Sequence, residues 1–208
     1  GAAAAAFEVE HGGAVIVELA AGDGGIVIAM NPQTGAIYAM ASTPDFDPND
    51  YDTIIDQNLL AQLSSVESKY GKDSDEYAAA WKSAYETQLR NKALSDGYEP
   101  GSTFKLVTMA TALDSGSVTV NDSFYCGGHE DFKGRDQTLS CWKSAGHGAE
   151  TLEEALGNSC NIAFGHIGLR IGGETFYDYI KSFGFLDQTG VDLPGEAKGL
   201  FFSKADLS

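Results

Sequence analysis

The chain has 208 residues, 43% of them hydrophobic, which is enough for one sizeable core. Its formal net charge of −17 excludes nucleic-acid backbones, whose phosphates need basic surface, and a basic patch for anionic lipid. No apolar run approaches the roughly 20 residues of a membrane span, and no signal peptide is visible. Ala14–Val17 and Gly25–Met30 are short β-branched runs flanked by glycine and read as strands. Asn31-Pro32-Gln33-Thr34-Gly35 reads as a turn, and Ala36–Ala41 as the returning strand. Ser42–Asp50 is rich in turn formers. From Tyr51 to about Leu94 the pattern predicts helix, with Tyr77, Trp81, Ala84 and Tyr85 on one apolar stripe packed as a surface excursion. A helix is predicted from Ser102 to about Leu113, ended by Asp114-Ser115-Gly116-Ser117. Residues 118–145 read as an irregular excursion. Thr151-Leu152-Glu153-Glu154 is a capping box that opens a short helix to about Leu156. Two further helices are expected, Ile162–Ile171 and Phe176–Phe183.

Chemistry concentrates on Pro100-Gly101-Ser102-Thr103-Phe104-Lys105. Residues three apart on a helix share a face, so the Ser102 hydroxyl and the Lys105 amine are expected to point into one space. A serine hydroxyl is a weak nucleophile at its own pKa and needs a neighbouring base. A helix N-terminus adds a positive end and free N–H groups that help to stabilise an oxyanion. The bland reading of the same residues is an ordinary N-cap serine. Asn158-Ser159-Cys160-Asn161 adds an S-x-N triplet further along, and S-x-x-K followed by S-x-N is the pairing of the penicillin-recognising serine enzymes.

Arg90-Asn91-Lys92-Ala93 through Lys105 resembles the transpeptidase domain of class B penicillin-binding proteins. So do Asn31–Ser42, Asn158–Asn161, Gly184-Phe185 and Gly190–Glu196, in the family's order over roughly residues 24 to 202. The resemblance implies an α/β sandwich (α+β), an antiparallel sheet flanked by helices. It divides the chain into an N-terminal remnant, 1–23, and a partial transpeptidase domain, 24–208, with a helical insertion at about 51–94. The family's K-T-G triplet is absent, and Lys198-Gly199-Leu200 is not it, so the chain resembles the first part of such a domain. By this resemblance Ser102 attacks the carbonyl of a D-alanyl-D-alanine peptide and Lys105 is the base. Ser159 passes a proton to the leaving amine, and Asn161 binds the substrate amide and holds Lys105. No cofactor is required for that chemistry. The implied partners are peptidoglycan stem peptides, β-lactams and a membrane glycosyltransferase, at the outer face of a bacterial membrane, anchored by an N-terminal span that this chain lacks. A β-lactamase or β-lactam sensor on the same scaffold, and a non-catalytic fragment, are the rival readings.

Three cysteines are an odd count. Cys160, inside S-x-N, reads as a small buried residue. Cys126 and Cys141 flank a Gly-rich excursion, with His129 near the first and His147 after the second. Zinc on Cys126, Cys141 and His147, a Cys126–Cys141 disulfide, and free thiols all stay open. His11 carries no signal, and His166 reads as a satisfied core residue.

Overall fold

The structure is a computed structural model that describes residues 15–20, 24–134 and 136–204. It divides into two units: 1–96 with 192–197, and 97–191 with 198–208. His11 and most of the 1–23 remnant lie outside the described residues. Among the described residues no helix is long and apolar enough to cross a membrane.

The first unit is built on β1 (Val15–Ala20), β2 (Gly25–Met30) and β3 (Ile37–Thr43), antiparallel in that order. The expected turn joins β2 to β3: Asn31 Oδ1 accepts from the N–H groups of Gln33 (2.9 Å) and Thr34 (3.1 Å). Helices α1 (Gln57–Tyr70) and α2 (Asp75–Leu89) are N-capped by Asp56 and Ser74. Their shared core is Ile54, Leu59, Leu63 and Ala84, with Tyr77, Ala80 and Tyr85 packed against it. Helix therefore starts later than Tyr51. Residues 53–56 are instead held as a loop by buried Gln88, which donates to the Thr53 carbonyl (2.8 Å) and accepts from the N–H groups of Ile55 (2.8 Å) and Asp56 (3.3 Å). Trp81 sits at the edge of the predicted stripe, 37% exposed and stacked on Tyr85. Asn91 caps the short α3 (Lys92–Ser95), and Arg90 pairs with Asp96 at 2.8 Å.

In the second unit a 3-10 turn, Gly101–Phe104, runs into α4 (Lys105–Asp114). Four short strands follow: β4 (Ser123–Cys126), β5 (His129–Glu130), β6 (Leu139–Ser140) and β7 (Gly148–Thr151). β4 pairs with β7 and β5 with β6, both antiparallel. The excursion at 118–145 is thus partly ordered. Strands of two to four residues are too short to show the period-two alternation that would announce them. The capping box forms as expected: Thr151 Oγ1 accepts from Glu154 N–H, and the Glu154 carboxylate accepts from Thr151 N–H. It opens α5 (Leu152–Gly157), which leads to α6 (Asn161–Ile171) and α7 (Gly173–Ser182). Helix α6 is the core element. Ile162 and Ile167 are fully buried, clustered with Met109 and Ala112 of α4, Phe124 of β4, and Leu152 and Ala155 of α5. Each such isoleucine contributes about 2–3 kcal/mol by leaving water. That packing fixes where the first turns of α4 and α6 lie. Helices with antiparallel strands make the fold α+β, as expected.

Candidate active site

The first turns of α4 and α6 bring together all four residues that the sequence singles out. Lys105, on the first turn of α4, points its Nζ at a cluster of oxygens. Nζ lies 2.7 Å from the Ser159 carbonyl, 2.7 Å from Asn161 Oδ1, 3.0 Å from Ser159 Oγ and 3.3 Å from Ser102 Oγ. Ser102 stands in the 3-10 turn rather than at a regular helix N-cap, and its side chain is exposed. Three residues later the amine reaches back over it.

The S-x-N triplet is held from several sides. Ser159 has φ of 48°, the only described non-glycine residue in the left-handed region. This turns its carbonyl and its hydroxyl toward the same amine. The backbone permits it because Ser159 N–H donates to Leu156 O (2.9 Å) and Cys160 N–H to Ala155 O (2.9 Å), clamping the turn onto α5. Cys160 then caps α6, its Sγ accepting from Ala163 N–H. Asn161 donates Nδ2 to the Ser140 carbonyl (3.0 Å), which leaves Oδ1 for Lys105.

Burial pulls the Lys105 amine below the ordinary lysine range; the neighbouring Cys141 and Cys160 sulfurs act in the opposite sense and do not overcome it. The geometry tells how a neutral amine sits here. Two fixed carbonyl-type oxygens, Ser159 O and Asn161 Oδ1, take its two N–H groups, so the lone pair is left facing the hydroxyls of Ser102 and Ser159. A serine with an amine lone pair beside it, and a second serine on the same amine, is a set for nucleophilic acyl transfer with a proton relay.

Beside this centre lies a second constellation. The ligand atoms of Cys126, Cys141, His147 and Cys160 all lie within 4.8 Å of one another. Cys126 ends β4, His147 immediately precedes β7, and pairing of Cys126 with Gly148 brings them together. A tight crossing of two loops sets the distance. A Cβ on Gly128 would stand 2.0 Å from the Ser144 carbonyl oxygen, and one on Gly146 would stand 2.2 Å from the Cys126 carbonyl oxygen. Both glycines have positive φ, 93° and 77°. Cys141 is delivered by its N–H bond to Gly128 O (2.8 Å). Burial pushes its thiol up, but backbone N–H groups of Asn161 and Lys143, with Cys126 and Cys160 alongside, outweigh this and hold it below the usual thiol range. Burial raises the Cys160 thiol well above that range.

None of the three cysteines is joined in a disulfide. Three sulfurs and an imidazole grouped this closely suit a tetrahedral zinc ion. Two buried polar atoms without partners, His147 Nε2 and Glu150 Oε2, fit a site that expects a cation. Cys160 is therefore a correction to the sequence reading: it is a small buried residue, as expected, and also the fourth member of the cluster. The odd cysteine count was the signal that could have found it. His129 does not join, since β5 leads it away and leaves it exposed. His166 is not a core residue: its side chain is 36% exposed, paired with Glu130 at 2.9 Å and set against the Phe132 ring.

Residues 25–207 match the family described as the penicillin binding protein transpeptidase domain. The chain is 40% identical to Stage V sporulation protein D of Bacillus subtilis, over 86% of this chain and 23% of that protein. It thus spans about a quarter of that relative's length. Among solved structures it is similar to the D,D-transpeptidase domain of a peptidoglycan glycosyltransferase from Eggerthella lenta, with a TM-score of 0.66 and 30% identity over 90% of this chain and 39% of that one. It is also similar to penicillin-binding protein A from M. tuberculosis in a ceftriaxone acyl-enzyme complex, with a TM-score of 0.63 and 27% identity over 88% of this chain and 39% of that one.

Proposed function

This chain belongs to the penicillin-binding protein transpeptidase family, and from that membership we propose that its protein is a peptidoglycan D,D-transpeptidase of class B. The observation that carries the reading is the single amine, Lys105 Nζ, set within 3.3 Å of both serine hydroxyls and held by Asn161. Lys105 takes the proton of Ser102 Oγ as that oxygen bonds to the penultimate D-alanine carbonyl of a stem peptide. The C–N bond to the terminal D-alanine breaks, and Ser159 Oγ returns the proton to the departing amine. The amine of a neighbouring stem peptide then displaces Ser102 from the acyl-enzyme, which forms the cross-link. β-Lactams enter the first half of this cycle and stop there. The work is done at the outer face of the bacterial membrane, beside a glycosyltransferase that supplies the glycan strands. Incubation of the full-length protein with penicillin separates this reading from a β-lactamase: the acyl adduct is expected to persist for many catalytic cycles' worth of time. Rapid hydrolysis of the drug with free enzyme recovered would overturn it.

The metal reading is likewise a proposal: Cys126, Cys141, His147 and Cys160 hold one structural zinc ion. Metal-site binding energy becomes folding energy, and here it orders the loops around Ser159 and Asn161. The supporting observation is the compact donor set with its orphaned imidazole nitrogen. The purified protein is expected to carry one equivalent of zinc. EDTA lowers its melting temperature, reductant leaves it unchanged, and His147→Ala weakens metal retention. A metal-free protein with three titratable thiols, or a Cys126–Cys141 disulfide in the freshly purified protein, contradicts the zinc assignment.

A further inference from the structure

Glu150 is, among the described residues, the only charged residue that is buried, and at 3% exposure it is shielded from bulk solvent. It lies on β7, three residues from His147. One carboxylate oxygen, Oε1, accepts from Asn158 Nδ2 at 2.8 Å. The other, Oε2, has no hydrogen-bond partner and stands 3.8 Å from His147 Nδ1, with both side chains almost fully enclosed. Burying an ionised carboxylate with half its acceptors empty is costly unless a cation stands near. Among the described residues no lysine or arginine pairs with Glu150.

Resting on the zinc reading above, we propose that Glu150 is the outer-shell carboxylate of that metal centre. It orients the His147 imidazole and, through Asn158, ties the centre to the turn that carries Ser159 and Asn161. Outer carboxylates of this kind fix the ring and raise its basicity as a ligand, and losing one typically weakens metal binding about 10- to 100-fold. Asn158 is bound at a second point: its carbonyl accepts from Trp142 Nε1 at 2.8 Å, and the Trp142 ring packs against His147. The imidazole and the turn are thus joined by two routes, one of them through Glu150.

The test is Glu150→Gln in the full-length protein. Glutamine keeps an oxygen for Asn158 and has nearly the same shape, so only the charge is removed. Zinc affinity, measured by competition with a chromophoric chelator, is expected to fall at least fivefold. The cobalt(II) spectrum is expected to keep its thiolate charge-transfer and d–d bands, because the four ligands are unchanged. The melting temperature is expected to drop in the zinc-loaded protein and to stay level or rise in the metal-free one, where the unpaired charge is no longer present. A role limited to holding Asn158 moves neither quantity. Affinity within twofold of wild type, or equal destabilisation of both forms, overturns the assignment. So does an altered cobalt spectrum, which makes Glu150 a direct ligand. Wild-type protein that binds no zinc overturns the metal reading itself and this inference with it.

Discussion

Ser102→Ala is expected to abolish covalent capture of penicillin. Intact-mass measurement after drug treatment should show the adduct on wild-type protein and none on the variant. The expectation rests on position more than on residue type. Ser102 and Ser159 both approach the Lys105 amine, at 3.3 and 3.0 Å to Oγ, so distance to the base does not by itself choose the nucleophile. Exposure does. Ser102 opens to solvent on a 3-10 turn, whereas Ser159 is half-buried in a left-handed turn clamped to α5. A bulky acyl group can be accommodated on the first and not on the second. Loss of one hydroxyl from an exposed turn leaves the fold unchanged, so the melting temperature of Ser102→Ala should stay within a degree or two of wild type. An adduct on the alanine variant would transfer the nucleophile to Ser159.

Lys105→Ala is expected to slow acylation by about 100-fold or more, the scale of a positioned general base. Lys105→Arg should not restore it, because a guanidinium keeps its proton at any working pH. The pH dependence carries the sign. The neutral amine is the active form, so acylation rises with pH and levels off above the Lys105 pKa. Burial draws that pKa below the ordinary lysine value of about 10.4, so the rise occurs at lower pH than free lysine would give. In Lys105→Ala this limb should disappear. Near-normal acylation by the arginine variant, measured by stopped-flow with a chromogenic β-lactam, would exclude Lys105 as base.

The site was legible to different depths. Ser102 and Lys105 could be paired from the chain alone because helical geometry is local, and three residues return a side chain to the same face. Ser159 and Asn161 were accessible only through the motif. What brings them to Lys105 is the packing of α6 on α4 through Ile162, Ile167, Met109 and Ala112, and long-range packing leaves no periodic mark. The position of Cys160 inside S-x-N is explained by burial alone, and its place beside Cys126, Cys141 and His147 depends on β4 meeting β7. Nothing in the sequence marks Glu150, since a lone glutamate before a capping box has the pattern of a surface residue. Only the pairing of β7 with β4 shows that its face is the inner one. The region from 51 to 94 is mostly helical, as its pattern predicts, in three separate helices. Helix begins only at Gln57, later than the pattern predicts, because Gln88, more than 30 residues away, supplies the hydrogen bonds that hold 53–56 as a loop.

Lys105 meets Ser159 and Asn161 across 54 and 56 residues of chain. Helix α4 is a local structure that a partly folded chain forms within about a microsecond. The acceptors that hold two N–H groups of its amine arrive only after a long loop has closed and α6 has docked. An immature or misfolded chain therefore displays the whole Ser102–Lys105 motif and yet has no working base. Under the proposed function, drug capture by the full-length protein is then a census of correctly folded molecules: the fraction labelled is expected to report how many chains in a preparation have completed their tertiary structure, independently of how much helix they contain.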